Sequence, residues 1–158
     1  MTGVLKARTA IGPDVWEAVG GSGVSQEYVD QRTTKRWSAT GIALTGAAVT
    51  ADTTVVTVNV PAQPIAGVLF AVLLLRFDKT VASDAHIVTV RDGGVSASSW
   101  YSGAGNTSVT AVISCCISAL TSTAKTITGT IMRNVGTGTI NTYAAYGNTH
   151  LDVLWFPG

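Results

Sequence analysis

The fold class is decided by two neighbouring stretches, Thr53-Thr-Val-Val-Thr-Val-Asn-Val60 and Val68-Leu-Phe-Ala-Val-Leu-Leu-Leu-Arg-Phe77, with Pro61 and Pro64 between them. β-Branched residues suit the pleated, half-buried surface of a sheet, and proline ends a strand because it cannot donate to the hydrogen-bond ladder. Helical periodicity is missing from both stretches. They predict two consecutive β-strands.

Further strands are predicted on the C-terminal side of these two. Turns rich in Ser, Thr, Gly and Asn separate them, and Asp92-Gly-Gly94 is the clearest turn. Short strands at this spacing, without helices between them, predict an all-β sandwich or jelly roll. The additional strands are His86–Arg91, Thr107–Ala119, Lys125–Arg133, 138–145 and Leu151–Phe156.

The second stretch is apolar on both faces, although a sandwich strand with one wet face should alternate. The simplest explanation is a second subunit on the other face, and only three of the 19 charged residues follow position 93, as expected near an interface. The alternative is a central strand that the N-terminal arm covers. The residues predicted at the subunit interface of the sandwich are Leu69, Leu73, Leu75 and Trp155.

Length and composition exclude several classes of protein. The chain has 158 residues, 46% of them hydrophobic and 12% charged, which fits one folded domain and is unlike a disordered chain. A net charge of +1 offers no electrostatic surface for nucleic acid. The longest apolar run, residues 64–75, is far shorter than the roughly 20 residues of a membrane span. No signal peptide is predicted behind Lys6 and Arg8.

The N-terminal region differs from the rest, because residues 1–38 hold nine of the 19 charges. A flexible Gly20-Gly-Ser-Gly23 break divides it into an extended arm, 1–23, and a segment, 24–37, predicted as a short helix that Ser25 caps. One helix of three turns cannot bury a core alone, so its apolar residues Val24 and Tyr28 are predicted to pack against copies of the helix or against the body. Residues 38–158 form the predicted β-sandwich head.

Catalytic chemistry is not predicted. Neither His86 nor His150 has a second ligand two or four residues away, and no nucleophile or phosphate-binding motif is present. The chain is therefore predicted to be no enzyme, with no cofactor, catalytic residue or metal site. Asp78, Asp84 and Asp92 stay open as calcium ligands, although their spacing does not match an EF-hand loop.

Two pairs of neighbouring residues remain. Cys115 and Cys116 should point to opposite faces of a strand, and both are predicted to be small buried residues in a reducing cytoplasm.

Trp100 and Tyr101 follow a Ser-rich turn and, with Tyr146, are candidate receptor contacts, because exposed aromatic rings stack on sugars. The alternative for these aromatic residues is core filling.

Short motifs along the whole chain carry a family resemblance. They are Val15-Trp-Glu-Ala-Val-Gly-Gly-Ser-Gly23 followed by Val24-Ser-Gln-Glu-Tyr-Val-Asp30, and then Ile117-Ser-Ala-Leu-Thr-Ser-Thr-Ala-Lys-Thr-Ile-Thr128, Gly136-Thr-Gly-Thr-Ile140 and Leu151-Asp-Val153. With these motifs the chain resembles the small tail, fibre and head-decoration proteins of tailed bacteriophages, especially those of actinobacteria.

The resemblance implies a homotrimer of jelly-roll heads, similar in outline to tumour-necrosis-factor and complement-type heads. It implies synthesis in the host cytoplasm and a place on the virion surface, where the arm would attach to a tail or major capsid protein. The implied attachment residues are Val4, Leu5, Val15, Trp16 and Val19.

Two virion roles follow from the resemblance. A minor tail or fibre-tip protein would place its head against the host envelope, with a host cell-surface glycan as a further partner. A capsid decoration protein would bind capsomers at threefold positions. No fibre repeat or long stalk is present, and this departure from larger fibres keeps decoration open. The remote alternative is a free carbohydrate-binding domain.

Overall fold

A computed structural model describes the strands Lys6–Arg8 and Trp16–Ala18 and residues 30–145 and 147–158; within these, the side chains of the two short strands and of residues 118–121 are left undescribed. The chain divides into two units, Met1–Thr33 and Thr34–Gly158. In the first unit, β1 (Lys6–Arg8) pairs antiparallel with β2 (Trp16–Ala18). The predicted extended arm therefore folds back on itself here, because pairing satisfies backbone groups that an isolated extended chain leaves open.

The second unit is built from β-strands that pair antiparallel. Strand β5 has 13 residues. The strands are β3 (Lys35–Thr40), β4 (Thr53–Val60), β5 (Gly67–Lys79), β6 (Ala85–Asp92), β7 (Val95–Ser102), β8 (Ser108–Thr121), β9 (Lys125–Val135), β10 (Ile140–Thr142) and β11 (Thr149–Pro157).

These strands form two sheets. In the five-stranded sheet β5 is central: β8 runs along one of its edges, β11 and then β10 along the other, and β3 lies outside β11. The four-stranded sheet has the order β4-β9-β6-β7. The turn predicted at residues 92–94 joins β6 to β7, and Gly93 and Gly94 adopt the positive φ values of 55° and 96° that favour glycine.

The core lies between the two sheets, and strand alternation decides which side chains enter it. Along β5 every second residue from Gly67 to Lys79 is buried. Gly67 allows a close approach, because a Cβ there would lie 2.2 Å from the indole nitrogen of Trp155. The other large core side chains include Phe77, Leu151, Val153, Val88, Val90, Ile127 and Ile131.

The predicted all-β jelly-roll sandwich is confirmed. Two strands were missed, however, and β10 is shorter than the predicted strand at 138–145. The helix predicted at 24–37 is wrong at its end, because Lys35–Trp37 belong to β3, where inward and outward residues alternate and β11 pairs alongside. Tertiary pairing overrides helix propensity there. Of the described residues in that segment, Asp30 and Gln31 are helical.

Candidate functional site

The side chains predicted at the subunit interface lie inside the head. Leu69, Leu73, Leu75 and Trp155 are each at most 1% exposed, and all four belong to the core. The prediction is wrong for these four, because their face of the five-stranded sheet packs against the four-stranded sheet of the same chain. The other two predicted interface residues, Val24 and Tyr28, lie outside the described residues.

The opposite face of the five-stranded sheet is the candidate interaction surface, which we call the apolar face. Its members are the outward side chains of three adjacent strands: Val68, Phe70, Val72 and Leu74 on β5, Leu154 and Phe156 on β11, and Val112 and Cys116 on β8. Phe70 lies opposite both Leu154 and Cys116, and Leu74 lies opposite Val112, whereas Val72 lies between Asp152 and Ser114. Phe156 is 43% exposed and Val112 is 59% exposed.

Polar groups border the apolar face. On the β11 side, Arg36 of the edge strand β3 donates at 2.8 Å to Asp152, whose carboxylate lies within the face, opposite Val72. At the end of β5, the Arg76 guanidinium lies 5.6 Å from the Tyr143 ring, and the Tyr143 hydroxyl donates to Asp78. Hydrogen bonds from the Tyr143 and Ser108 hydroxyls lower the pKa of Asp78, so this carboxylate stays ionised. An apolar centre with a polar border has the composition of a protein interface.

The sequence carries a signal for this surface, because alternate residues of a strand lie on the same face. On β5, the outward residues from Val68 to Leu74 are followed on the same face by Arg76 and Asp78. On β11, Leu154 and Phe156 share a face with His150 and Asp152 in the same way. Charged residues at the ends of an alternating series mark its outward face.

Trp100 and Tyr101, predicted to lie together in a loop, are on β7 and point to opposite faces. Trp100 pairs with Val88 and packs partly against the core, whereas Tyr101 pairs with Ile87 and is 64% exposed. One ligand therefore cannot contact both rings. The third candidate receptor contact, Tyr146, lies outside the described residues, as do the attachment candidates Val4, Leu5, Val15 and Val19. Trp16 is described only as a member of β2.

A buried polar cluster lies at the end of the sandwich beside the loop that follows β5. The Lys79 ammonium donates to the carbonyl oxygens of Ala82, Asp84 and Gly103 at 2.8–3.2 Å. The Asp84 carboxylate accepts the backbone amides of Thr137 and Gly138 at 3.3 and 2.7 Å. Both side chains are at most 3% exposed. The cluster fastens the chain before β6 and the chain before β10 to each other.

His86 belongs to this cluster and is fully buried, with its ring 5.4 Å from that of Phe77. Neither ring nitrogen finds a hydrogen-bond partner in the described part of the chain. Burial lowers the pKa of His86, the cations Lys79 and Arg133 lower it further, and Asp84 acts in the opposite direction. The folded head therefore holds this imidazole in its neutral form.

This arrangement predicts a pH-dependent stability. In the unfolded chain the pKa of His86 is about 6.5, so below that pH the unfolded chain binds a proton that the folded chain does not. We expect the contribution of His86 to the free energy of unfolding to be complete above about pH 6.5 and lost as the pH falls towards the lower, folded pKa. Thermal unfolding between about pH 7.5 and 5 tests this. His86→Leu should weaken the pH dependence, and an unchanged dependence would contradict it.

The three aspartates considered as calcium ligands have separate partners. Asp84 binds two backbone amides, Asp78 binds Tyr143, and Asp92 forms an ion pair of 2.8 Å with Lys125. Within the described residues, no three His, Cys, Asp or Glu side chains are grouped to hold a metal ion. The described arrangement therefore brings together no calcium site from these three residues.

Cys115 and Cys116 are free thiols on opposite faces of β8, as predicted from strand alternation. The prediction that both are buried is wrong, because Cys116 is exposed on the apolar face and Cys115 is half-buried. Burial and the neighbouring Cys116 raise the pKa of the Cys115 thiol. No described helix is long and apolar enough to span a membrane.

Comparisons with known proteins give structural likeness. No protein-family model matches the chain, and no curated protein does. Among solved structures, an Eiger tumour-necrosis-factor protein from S. frugiperda matches 79% of this chain and 94% of its own length, with a TM-score of 0.51 at 5% identity. This likeness agrees with the jelly-roll fold.

Two further structures match less closely. One is from infectious bursal disease virus Gx strain, covering 96% of this chain and 36% of the viral chain, with a TM-score of 0.45 at 10% identity. The other is the carbohydrate-binding module CBM36 in complex with calcium and xylotriose, covering 77% and 98%, with a TM-score of 0.37 at 14% identity. Neither likeness bears on function.

Proposed function

We propose that this chain is the subunit of a homotrimeric, surface-exposed protein of a tailed-bacteriophage virion, a minor tail or fibre-tip protein anchored by its N-terminal arm. The observation that carries the proposal is the apolar face. The phage motifs at residues 15–30 and 117–153 support the virion setting, and they supply the choice of three subunits.

Self-association accounts for the apolar face because a soluble monomer gains nothing by exposing it. Each half-exposed side chain such as Phe156 or Val112 gains about 1 kcal/mol or more on full burial. The β5 strand places four apolar side chains in a row at the centre of the sheet, and the Asp152 carboxylate, which lies opposite Val72, is paired with Arg36. A partner copy would meet an apolar surface that contains one neutralised ion pair and has further polar groups at its edge.

The arm has a separate task in this proposal. Residues 1–33 form a unit distinct from the head, so attachment is assigned to a different part of the chain from the apolar face. The attachment candidates Val4, Leu5, Val15, Trp16 and Val19 all belong to this unit. In this scheme the head stays exposed on the particle and is free to contact the host envelope.

The proposal predicts a trimer in solution and a defined place on the particle. The mass of the purified full-length chain, by sedimentation or light scattering, should be three times that of one chain. Immunogold labelling of particles with an antibody against residues 39–158 should mark the tail end.

The outcomes separate the parts of the proposal. Label spread over the capsid would replace the tail role by capsid decoration and leave the trimer intact. A monomer in solution at about 100 μM would remove the reason for assigning the apolar face to self-association.

A further inference from the structure

We propose that the cleft between β7 and β8 binds a single neutral saccharide ring. The inference deepens the proposed function and rests on it for the setting, a head that faces outward from a particle. The cleft opens where the edge strand of the four-stranded sheet meets the edge strand of the five-stranded sheet, and it is closed by the loop at 103–107. Its volume is about 260 Å³.

The lining of the cleft combines one aromatic ring with small neutral polar groups. Its members include Trp100, Ser102, Asn106 and Val109; Ser108 and Thr110 also border it, but the Ser108 hydroxyl donates to Asp78 and the Thr110 side chain lies on the outward face of β8 with Val112. Among the described residues that line it, none is charged. An indole offers an apolar surface to the C–H groups of a sugar ring, while hydroxyl and amide groups pair with the sugar hydroxyls. A charged ligand would find no counter-charge in this lining, so a neutral polyol fits it best.

The wall of the cleft is held in place before any ligand arrives. The Lys79 ammonium donates to the Gly103 carbonyl at 3.1 Å, and the Lys79 amide donates to the Thr107 carbonyl at 2.6 Å. The Gly105 amide donates to the Ala82 carbonyl at 2.9 Å. These three bonds fix the loop at both ends and in the middle. Ordering the loop therefore costs little of the binding free energy.

Ser102 supplies a buried polar group with capacity to spare. It is 3% exposed, and its hydroxyl oxygen accepts the His86 backbone amide at 2.8 Å. That bond leaves the hydroxyl proton of Ser102 available as a donor. Asn106 is exposed at the opening of the cleft. A ligand in the cleft would therefore meet hydrogen-bonding groups both at the buried end and at the opening, and the indole of Trp100 forms part of the wall.

The size of the cleft limits the ligand. Ligand sites of drug-sized molecules occupy about 300–1,000 Å³, so this cleft suits one ring rather than an extended oligosaccharide. A ligand of about 12 heavy atoms is expected to bind with a dissociation constant on the order of 1 mM. In an oligomer, several clefts acting together would strengthen attachment to a surface that carries many copies of the sugar.

The test is a titration of the ¹⁵N-labelled full-length chain with methyl α-D-mannopyranoside, methyl β-D-galactopyranoside and N-acetylglucosamine. We expect at least one to shift the indole resonance of Trp100, identified through Trp100→Phe, in the millimolar range. Asn106→Ala is an exposed substitution that leaves the core untouched, and it should weaken binding about fivefold or more. Tyr101→Ala is the matched control on the opposite face and should bind as the wild type does.

Two outcomes would overturn the inference. One is that none of the three saccharides shifts the Trp100 resonance at about 20 mM. The other is that binding is unaffected by Asn106→Ala or is lost in Tyr101→Ala. The proposed function is judged separately, by the mass of the chain and its place on the particle, so a trimeric tail protein without saccharide binding would reject this inference alone.

Discussion

Replacing Leu74 by aspartate is expected to dissociate the proposed trimer into folded monomers, whereas the same replacement at Leu73 is expected to prevent folding. The two residues are neighbours on β5, but Leu74 is half-buried on the apolar face and Leu73 is fully buried in the core. An aspartate at 74 would lie opposite His150 and Val112, with access to water. It should cost the monomer about 1 kcal/mol or less.

The effect on association should be much larger. A side chain at the centre of an interface contributes about 2–4 kcal/mol to the free energy of association. Burying a charged side chain there also costs desolvation free energy in every copy. Leu74→Asp should therefore weaken association about 100-fold or more. At position 73 the carboxylate would be enclosed between the two sheets without a partner, which costs several kcal/mol.

Sedimentation and circular dichroism of the two variants are the measurements. Thr57→Asp is the matched control, because it introduces the same charge at an exposed position of β4 on the other sheet. It should keep both the fold and the wild-type mass. If Leu74→Asp kept the mass of the wild-type oligomer, the apolar face would not be the interface. If Leu73→Asp folded normally, the assignment of the two faces would be wrong.

The contrast between these neighbours shows what the sequence determines about β5. A run that is apolar at every position identifies a strand covered on both sides, but it does not say which side faces the chain's own second sheet. The prediction of Leu69, Leu73 and Leu75 at the interface rests on the run being apolar at every position, which does not distinguish its two faces. Which face of β5 points into the core depends on Phe77 and Lys79, which lie on the same face as Leu73 and Leu75. Lys79 can be buried there only because loop carbonyl oxygens accept hydrogen bonds from its ammonium group.

The two missed strands have a different physical origin. Strand β7 is an edge strand with four serines among its eight residues, and serine favours turns because its hydroxyl competes for local backbone groups. Strand β3 carries Lys35 and Arg36, which resemble the cationic end of a helix. Its identity is set by pairing with β11, more than 100 residues later in the chain.

The candidate cleft was only half visible in the sequence. Trp100 was identified as a binding residue, but it was joined to Tyr101 because the segment was predicted as a loop. In a strand the two rings separate, and the partners of Trp100 become residues of β8 and of the loop at 103–107. Those partners depend on which edges of the two sheets meet, a long-range property that local pattern does not encode.

The buried carboxylate of Asp84 carries the second large prediction. Its two oxygens accept the amides of Thr137 and Gly138, and the chain at 136–138 closes on it tightly: a Cβ on Gly136 would lie 1.8 Å from one carboxylate oxygen. Asp84→Ala would leave both amides without an acceptor. It would also remove the one negative charge that acts on His86 against the cations Lys79 and Arg133.

We expect Asp84→Ala to lower the free energy of unfolding by about 3–5 kcal/mol, and Asp84→Asn, which keeps one acceptor oxygen, by about 1–3 kcal/mol. Urea unfolding followed by tryptophan fluorescence measures both. Asp92→Ala is the matched control at the far end of β6, where the carboxylate forms a partly exposed pair with Lys125 whose loss should cost about 1 kcal/mol or less. Equal losses for Asp84→Ala and Asp92→Ala would mean that the Asp84 carboxylate does not hold the β5–β6 and β9–β10 loops together.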